Sequence, residues 1–137
     1  MELDLLLGEA CVIKIGDTFL AMPSRTGQMH LTFVIATLDR PYEVQRLIVV
    51  NASTSNTEGD MSCLLSPNDA DAHPWIRHDS FIYYKMMTDM TECVLAAYDA
   101  RQPASHHLLM RIQRGALLSP HTPRQYVNSI KLVAQHS

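Results

Sequence analysis

The sequence predicts an α+β fold, mainly β: a small barrel of five to six short strands over about residues 10–88, then two or three helices over about residues 89–137, in a single domain. Three features carry this expectation. Through the first two thirds, short β-branched and aromatic runs alternate with clusters of Gly, Pro, Asn, Asp and Ser. From Asp89 onward, apolar residues recur at helical spacing instead. No repeat, low-complexity tract or linker divides the 137 residues, a length sufficient to bury one core.

The elements follow in order. "DTFLAMP" starts after Gly16 and stops at Pro23, and the turn-forming "SRTGQ" separates it from the β-branched run "HLTFVIATL". "DRPY" marks a turn before "EVQRLIVVN", whose continuous Leu47, Ile48, Val49 and Val50 suit a strand buried on both faces. The polar loop "ASTSNTEGD" leads to the short strand "MSCLL", which ends at Ser66-Pro67, and "SFIYYKMM" supplies a further strand. Asp89 and Glu92 have capping-box spacing ahead of a helix through "CVLAAYDA". Ser105 caps a second helix whose Leu108, Leu109 and Ile112 share one face, with Gly115 as its stop. Thr122, Pro123 and Gln125 start a third, with Tyr126, Ile130 and Val133 along one face.

Composition narrows the function classes. With nearly half of the residues apolar and 18% charged, the chain is globular rather than disordered. Apolar runs such as Leu5–Leu7 are far too short to span a membrane, and the acidic "MELDLLLGEA" does not read as a secretory signal. Cys11, Cys63 and Cys93 are odd in number and lack CxxC spacing, so reduced, packed thiols in a cytoplasmic protein are expected. The net charge of −3 conceals an asymmetry: residues 1–100 hold all fourteen acidic side chains, while residues 101–137 hold Arg101, Arg111, Arg114, Arg124, Lys131 and four histidines with no acid. Such a basic tail suits an anionic partner, either nucleic acid or an acidic protein segment, or it complements the acidic body of the same chain.

Two segments carry candidate chemistry. In "NASTSNTEGD", Thr54 and Ser55 stand at the end of a buried strand, where hydroxyls can hydrogen-bond a phosphate; ordinary loop chemistry is the competing explanation. In "DADAHPWIRHDSFIYY", His73 and His78 are the side chains best suited to move protons near neutral pH, and Arg77 can hold a phosphate; the competing explanation is a polar loop in which His73 or Asp79 hydrogen-bonds backbone groups. Their five-residue separation across a proline fits no common metal spacing, so no metal or cofactor is expected. If a strand begins near Trp75, alternation sends Arg77 and His78 to opposite faces. Trp75, Tyr83 and Tyr84 offer stacking surface for bases or, equally, ordinary core packing of a small barrel, and Arg25 and His30 fall at the rim expected to hold Thr54.

The order of pieces resembles the PemK/MazF-like toxins of bacterial toxin–antitoxin systems. "IGDTFLA" looks like their opening Gly-Asp strand, "HLTFVIATL" like their long second strand, and "RLIVVNASTSN" like their apolar strand ending in a Thr-Ser pair. "DSFIYYKMM" resembles the later strand that runs on towards the helices, so the resemblance spans roughly Ile15 to Met87. It implies an SH3-like barrel, a homodimer, a cognate antitoxin protein as partner, and metal-independent cleavage of single-stranded RNA. Thr54 and Ser55 match the family's hydroxyl pair. His30 and Leu31 stand where the family has an arginine before its second strand, which leaves Arg25 or Arg77 as anion stabiliser and His73 or His78 for proton transfer. The expected function is thus a toxin-like endoribonuclease, an RNA hydrolase. The alternative is a non-catalytic barrel module that binds nucleic acid or a partner protein.

Overall fold

The computed structural model describes residues 12–21, 29–38, 44–54 and 59–135. Seven strands, β1 (Thr18–Ala21), β2 (His30–Leu38), β3 (Arg46–Ser53), β4 (Leu64–Leu65), β5 (Ser80–Ile82), β6 (Thr88–Thr91) and β7 (Asp99–Arg101), pair in the order β4-β5-β3-β2-β1-β7, with β6 also on β3. Every pairing is antiparallel. Among the described residues, three helices complete the α+β architecture: α1 (Glu92–Leu95), α2 (His106–Leu118) and α3 (Arg124–Gln135). The strands among these residues number seven rather than five to six, and the sheet they form is not closed: β4 and β7 end it without pairing to each other. No helix among the described residues is long and apolar enough to cross a membrane.

The centre of the sheet follows from its sequence. Leu47, Ile48, Val49 and Val50 of β3 are all buried, and pleating sends Ile48 and Val50 into one cluster, Leu47 and Val49 into the other. In β2, Leu31, Phe33 and Ile35 join the first cluster and Val34 the second, with a register shift between Val34 and Ala36. The larger cluster is covered by Leu108, Ile112 and Ala116 of α2 and by Tyr126 and Ile130 of α3, on the faces their spacing predicts. Leu95 of α1 seals the smaller one with Phe19. Gly16, at φ 102°, turns the chain into β1, and its N–H bonds the Val34 carbonyl.

Several local expectations are corrected. "SFIYYKMM" is not one strand: β5 and β6 border opposite ends of β3, separated by a 3₁₀ turn at Tyr84–Met86. The break lets Tyr84 turn fully into the core, where its hydroxyl donates to the Ile112 carbonyl at 2.6 Å. Asp89 caps no helix. It lies in β6, pairs with Arg46 and accepts from the Tyr126 hydroxyl, and the α1 cap is Thr91, whose Oγ1 accepts from the Val94 N–H. The helix through "CVLAAYDA" is short, because Asp99–Arg101 instead pairs with the outer edge of β1 as β7. Ser105 caps α2 as expected, accepting from the Leu108 N–H at 3.1 Å. Gly115 lies inside that helix rather than ending it. The Thr122 hydroxyl donates back to the Ala116 carbonyl of α2, closing the connection to α3.

Candidate functional site

The start of β2, the end of β3 and the segment before β5 enclose a cleft of about 540 Å³. His30, Thr54, Trp75, Arg77, His78 and Ser80 line it. Four of these come from the segment 75–80, and its path explains the convergence. Ile76 and His73 are buried and turn inward, whereas Trp75, Arg77 and His78 are exposed. Strand structure begins only at Ser80, so no alternation separates Arg77 from His78 and both face the same space. The Ser80 hydroxyl donates to the His78 carbonyl at 2.8 Å, holding the bend into β5.

His73 organises this segment from beneath instead of joining the cleft, which corrects its expected part in proton transfer. Its Nδ1 accepts from the Trp75 N–H at 3.0 Å, so the ring proton sits on Nε2, which donates to the Gln102 carbonyl at 2.5 Å. The Thr18 hydroxyl lies 3.3 Å from Nε2, and the ring meets Phe33 edge-on. With both nitrogens bonded and the ring buried, His73 has no nitrogen left for substrate. Tyr83 lines neither this cleft nor the neighbouring cavity described below; it is half-buried against Phe81. Arg25 and Ser55 lie outside the described residues.

Among the described residues, no carboxylate lines the cleft, and Arg77 has no ion pair or hydrogen bond from its side chain. Arg46, Arg101 and Arg111, by contrast, are all paired to aspartates. His30 Nδ1 lies 3.1 Å from the Ala52 carbonyl, an obligate acceptor, so this nitrogen carries a proton, and in the neutral ring Nε2 is the nitrogen left with the lone pair. This bond to Ala52 was not legible in the sequence, where only its place at the strand start suggested a rim position for His30.

A second cavity of about 420 Å³ shares Thr54 and Ser80 with the first and is lined further by Leu64, Ser66, Asp69, Asp79 and Phe81. Here the charge is opposite. Asp69 is engaged: its Oδ2 accepts from the Ser66 N–H and from Arg111. Asp71 receives two further bonds from Arg111, and one from His107. Part of the basic tail therefore complements the acidic body internally. Cys63 is buried, and burial pushes its thiol up to about 11, which removes it as a nucleophile near neutral pH. No family model, curated protein or solved structure matches the chain.

The anchoring role of His73 has a pH signature. Burial holds its imidazole below the ordinary value of 6.5, so the unfolded chain takes up a proton first as the pH falls through 6.5. Stability is full above that pH and declines on acidification below it. A second decline begins below 3.8, where the unfolded chain protonates Asp71 while in the fold the hydrogen bonds from Arg111 hold it at about 2, and this decline is complete only below that lower value. Urea midpoints measured against pH should show the first decline in the wild type and a flatter one in His73→Phe. An unchanged slope in the variant would show that another group drives it.

Proposed function

We propose that the chain is a metal-independent endoribonuclease acting on single-stranded RNA, with the SH3-like layout and toxin-type role that its resemblance to the PemK/MazF-like toxins implies. The observation that supports this reading is the meeting of Arg77, His30, His78, Thr54 and Trp75 in one cleft that no carboxylate lines among the described residues. Such a lining attracts a phosphodiester and offers an aromatic face to an unstacked base.

The chemistry assigns one task to each group. His30 Nε2, which carries the lone pair, takes the proton of the ribose 2′-OH, and the 2′-oxygen attacks the adjacent phosphorus. Arg77 and the Thr54 hydroxyl stabilise the charge that builds on the non-bridging oxygens. The P–O5′ bond breaks, and His78, as general acid, delivers a proton to the departing 5′-oxygen. The products are a 2′,3′-cyclic phosphate and a 5′-hydroxyl end, and no metal takes part. Trp75, 37% exposed, stacks on a base beside the cut.

Purified protein incubated with single-stranded RNA in excess EDTA should produce fragments with cyclic-phosphate ends. Double-stranded RNA should remain intact, because its stacked strand cannot enter the cleft. A well-folded protein that binds RNA without cutting it would point to the non-catalytic module. A requirement for added divalent metal would exclude this mechanism.

A further inference from the structure

Arg77 and Asp79 are two residues apart, oppositely charged, and not paired with each other. They line separate cavities that meet at Thr54 and Ser80. We propose that the cavity holding Asp79 is a guanine-selective subsite for the base next to the scissile phosphate. This inference rests on the nuclease reading and adds a base preference to it.

The acidic cavity repels the phosphate backbone, so an RNA strand crossing Arg77 enters it with a base and not with phosphate. Asp79 is exposed and has no hydrogen-bond or ion-pair partner among the described residues, which leaves two carboxylate oxygens able only to accept. On the Watson–Crick edge, guanine alone presents two adjacent donors, N1–H and N2–H. Adenine and cytosine each place an acceptor beside their amino group, and uracil sets its single donor between two acceptors. Two parallel bonds to one carboxylate therefore select guanine.

The other walls fit the remaining surfaces of that base. Asp69 is balanced by Arg111 and does not compete for the donors. The Ser66 hydroxyl accepts from the Asn68 N–H at 3.2 Å, so its own proton is available to the guanine O6. Leu64, 45% exposed, provides apolar surface for the ring. Thr54, at the junction, touches both the phosphate cleft and the base cavity.

The test uses uridine decamers carrying one central guanine, adenine or cytosine. Fluorescence anisotropy on 2′-O-methyl versions, which cannot be cut, reads binding; unmodified versions, mapped for the position of the cut, read cleavage. Wild type should prefer the guanine decamer by roughly tenfold or more, the worth of one good bidentate pair. Asp79→Asn should shift the preference away from guanine towards adenine and cytosine, because a carboxamide offers one acceptor and one donor, matching the amino group and adjacent ring nitrogen that both bases present. The side chain is exposed and unpaired, so the variant keeps its fold. Binding without guanine preference, or a preference that Asp79→Asn does not move, overturns the subsite. Cleavage with no base preference does the same and leaves the nuclease standing. Guanine-selective binding that Asp79→Asn abolishes, in a protein that never cuts, supports the base site and overturns the nuclease. Neither binding nor cleavage overturns both.

Discussion

Arg77→Ala is expected to slow RNA cleavage by roughly 10²–10³-fold, the loss typical when one preorganised donor to a developing oxyanion is removed. The effect should fall on kcat more than on KM, because the guanidinium gains most from the charge that appears as the phosphorus becomes five-coordinate. Thermal stability should barely change. The side chain is exposed and has no partner among the described residues, and substitutions of that kind typically stay within about 0.5 kcal/mol. Arg77→Lys should recover part of the rate, since it keeps the charge and loses the planar fork that grips two phosphate oxygens at once. Single-turnover cleavage of a defined oligonucleotide, with the melting temperature of each variant alongside, separates the possibilities. Near-wild-type cleavage by Arg77→Ala would remove the cleft as the catalytic site.

Gly115→Ala should destabilise the protein by about 3 kcal/mol, roughly 10 °C in Tm. The sign is what makes this informative. In an ordinary exposed helix interior the same change stabilises by about 1 kcal/mol. Here an added Cβ would collide with the Tyr84 hydroxyl oxygen and stand 2.9 Å from both Cys63 Cβ and the Ser62 carbonyl. The neighbours cannot yield cheaply: Tyr84 is fully buried and bonded to Ile112, and two of the three contacts are not side-chain tips. Combining Gly115→Ala with Tyr84→Phe removes the tightest contact, so the double variant should lose less than the sum of the single changes. Thermal unfolding of the four proteins tests this. A stabilised Gly115→Ala would show that α2 does not pack this closely on the residues before β4.

How legible each part was depended on whether its signal lay within one stretch of chain. The β2 run "HLTFVIATL" matches its observed bounds because β-branched and aromatic residues make up its middle, Thr32 to Ile35 and Thr37, and the turn signals on either side end it. The burial of α2 and α3 was readable from Leu108 and Ile112 and from Tyr126 and Ile130, whose spacing holds whatever they pack against. β7 was not readable: Asp99, Ala100 and Arg101 are all exposed and carry no apolar alternation. What makes them a strand is the unpaired edge of β1, whose backbone groups they satisfy. Asp89 likewise looked like a cap from its spacing to Glu92, yet it is held by Arg46 and Tyr126, 43 and 37 residues away.

The candidate site divides in the same way. The sequence by itself determined the two-faced burial of β3, the helical faces behind it, and the gathering of histidine, arginine and tryptophan into one short segment. Those properties depend on side-chain chemistry and on the periods of strand and helix, both of which are local. Only the tertiary structure decided that the sheet stays open and that His73 and His78, five residues apart, have opposite fates. His73 is drawn inward by the Gln102 carbonyl and Thr18, distant in sequence, and His78 is left facing the cleft. Pattern could not distinguish them, because coil has no period; long-range hydrogen bonds and the burial of Ile76 set which way each ring turns.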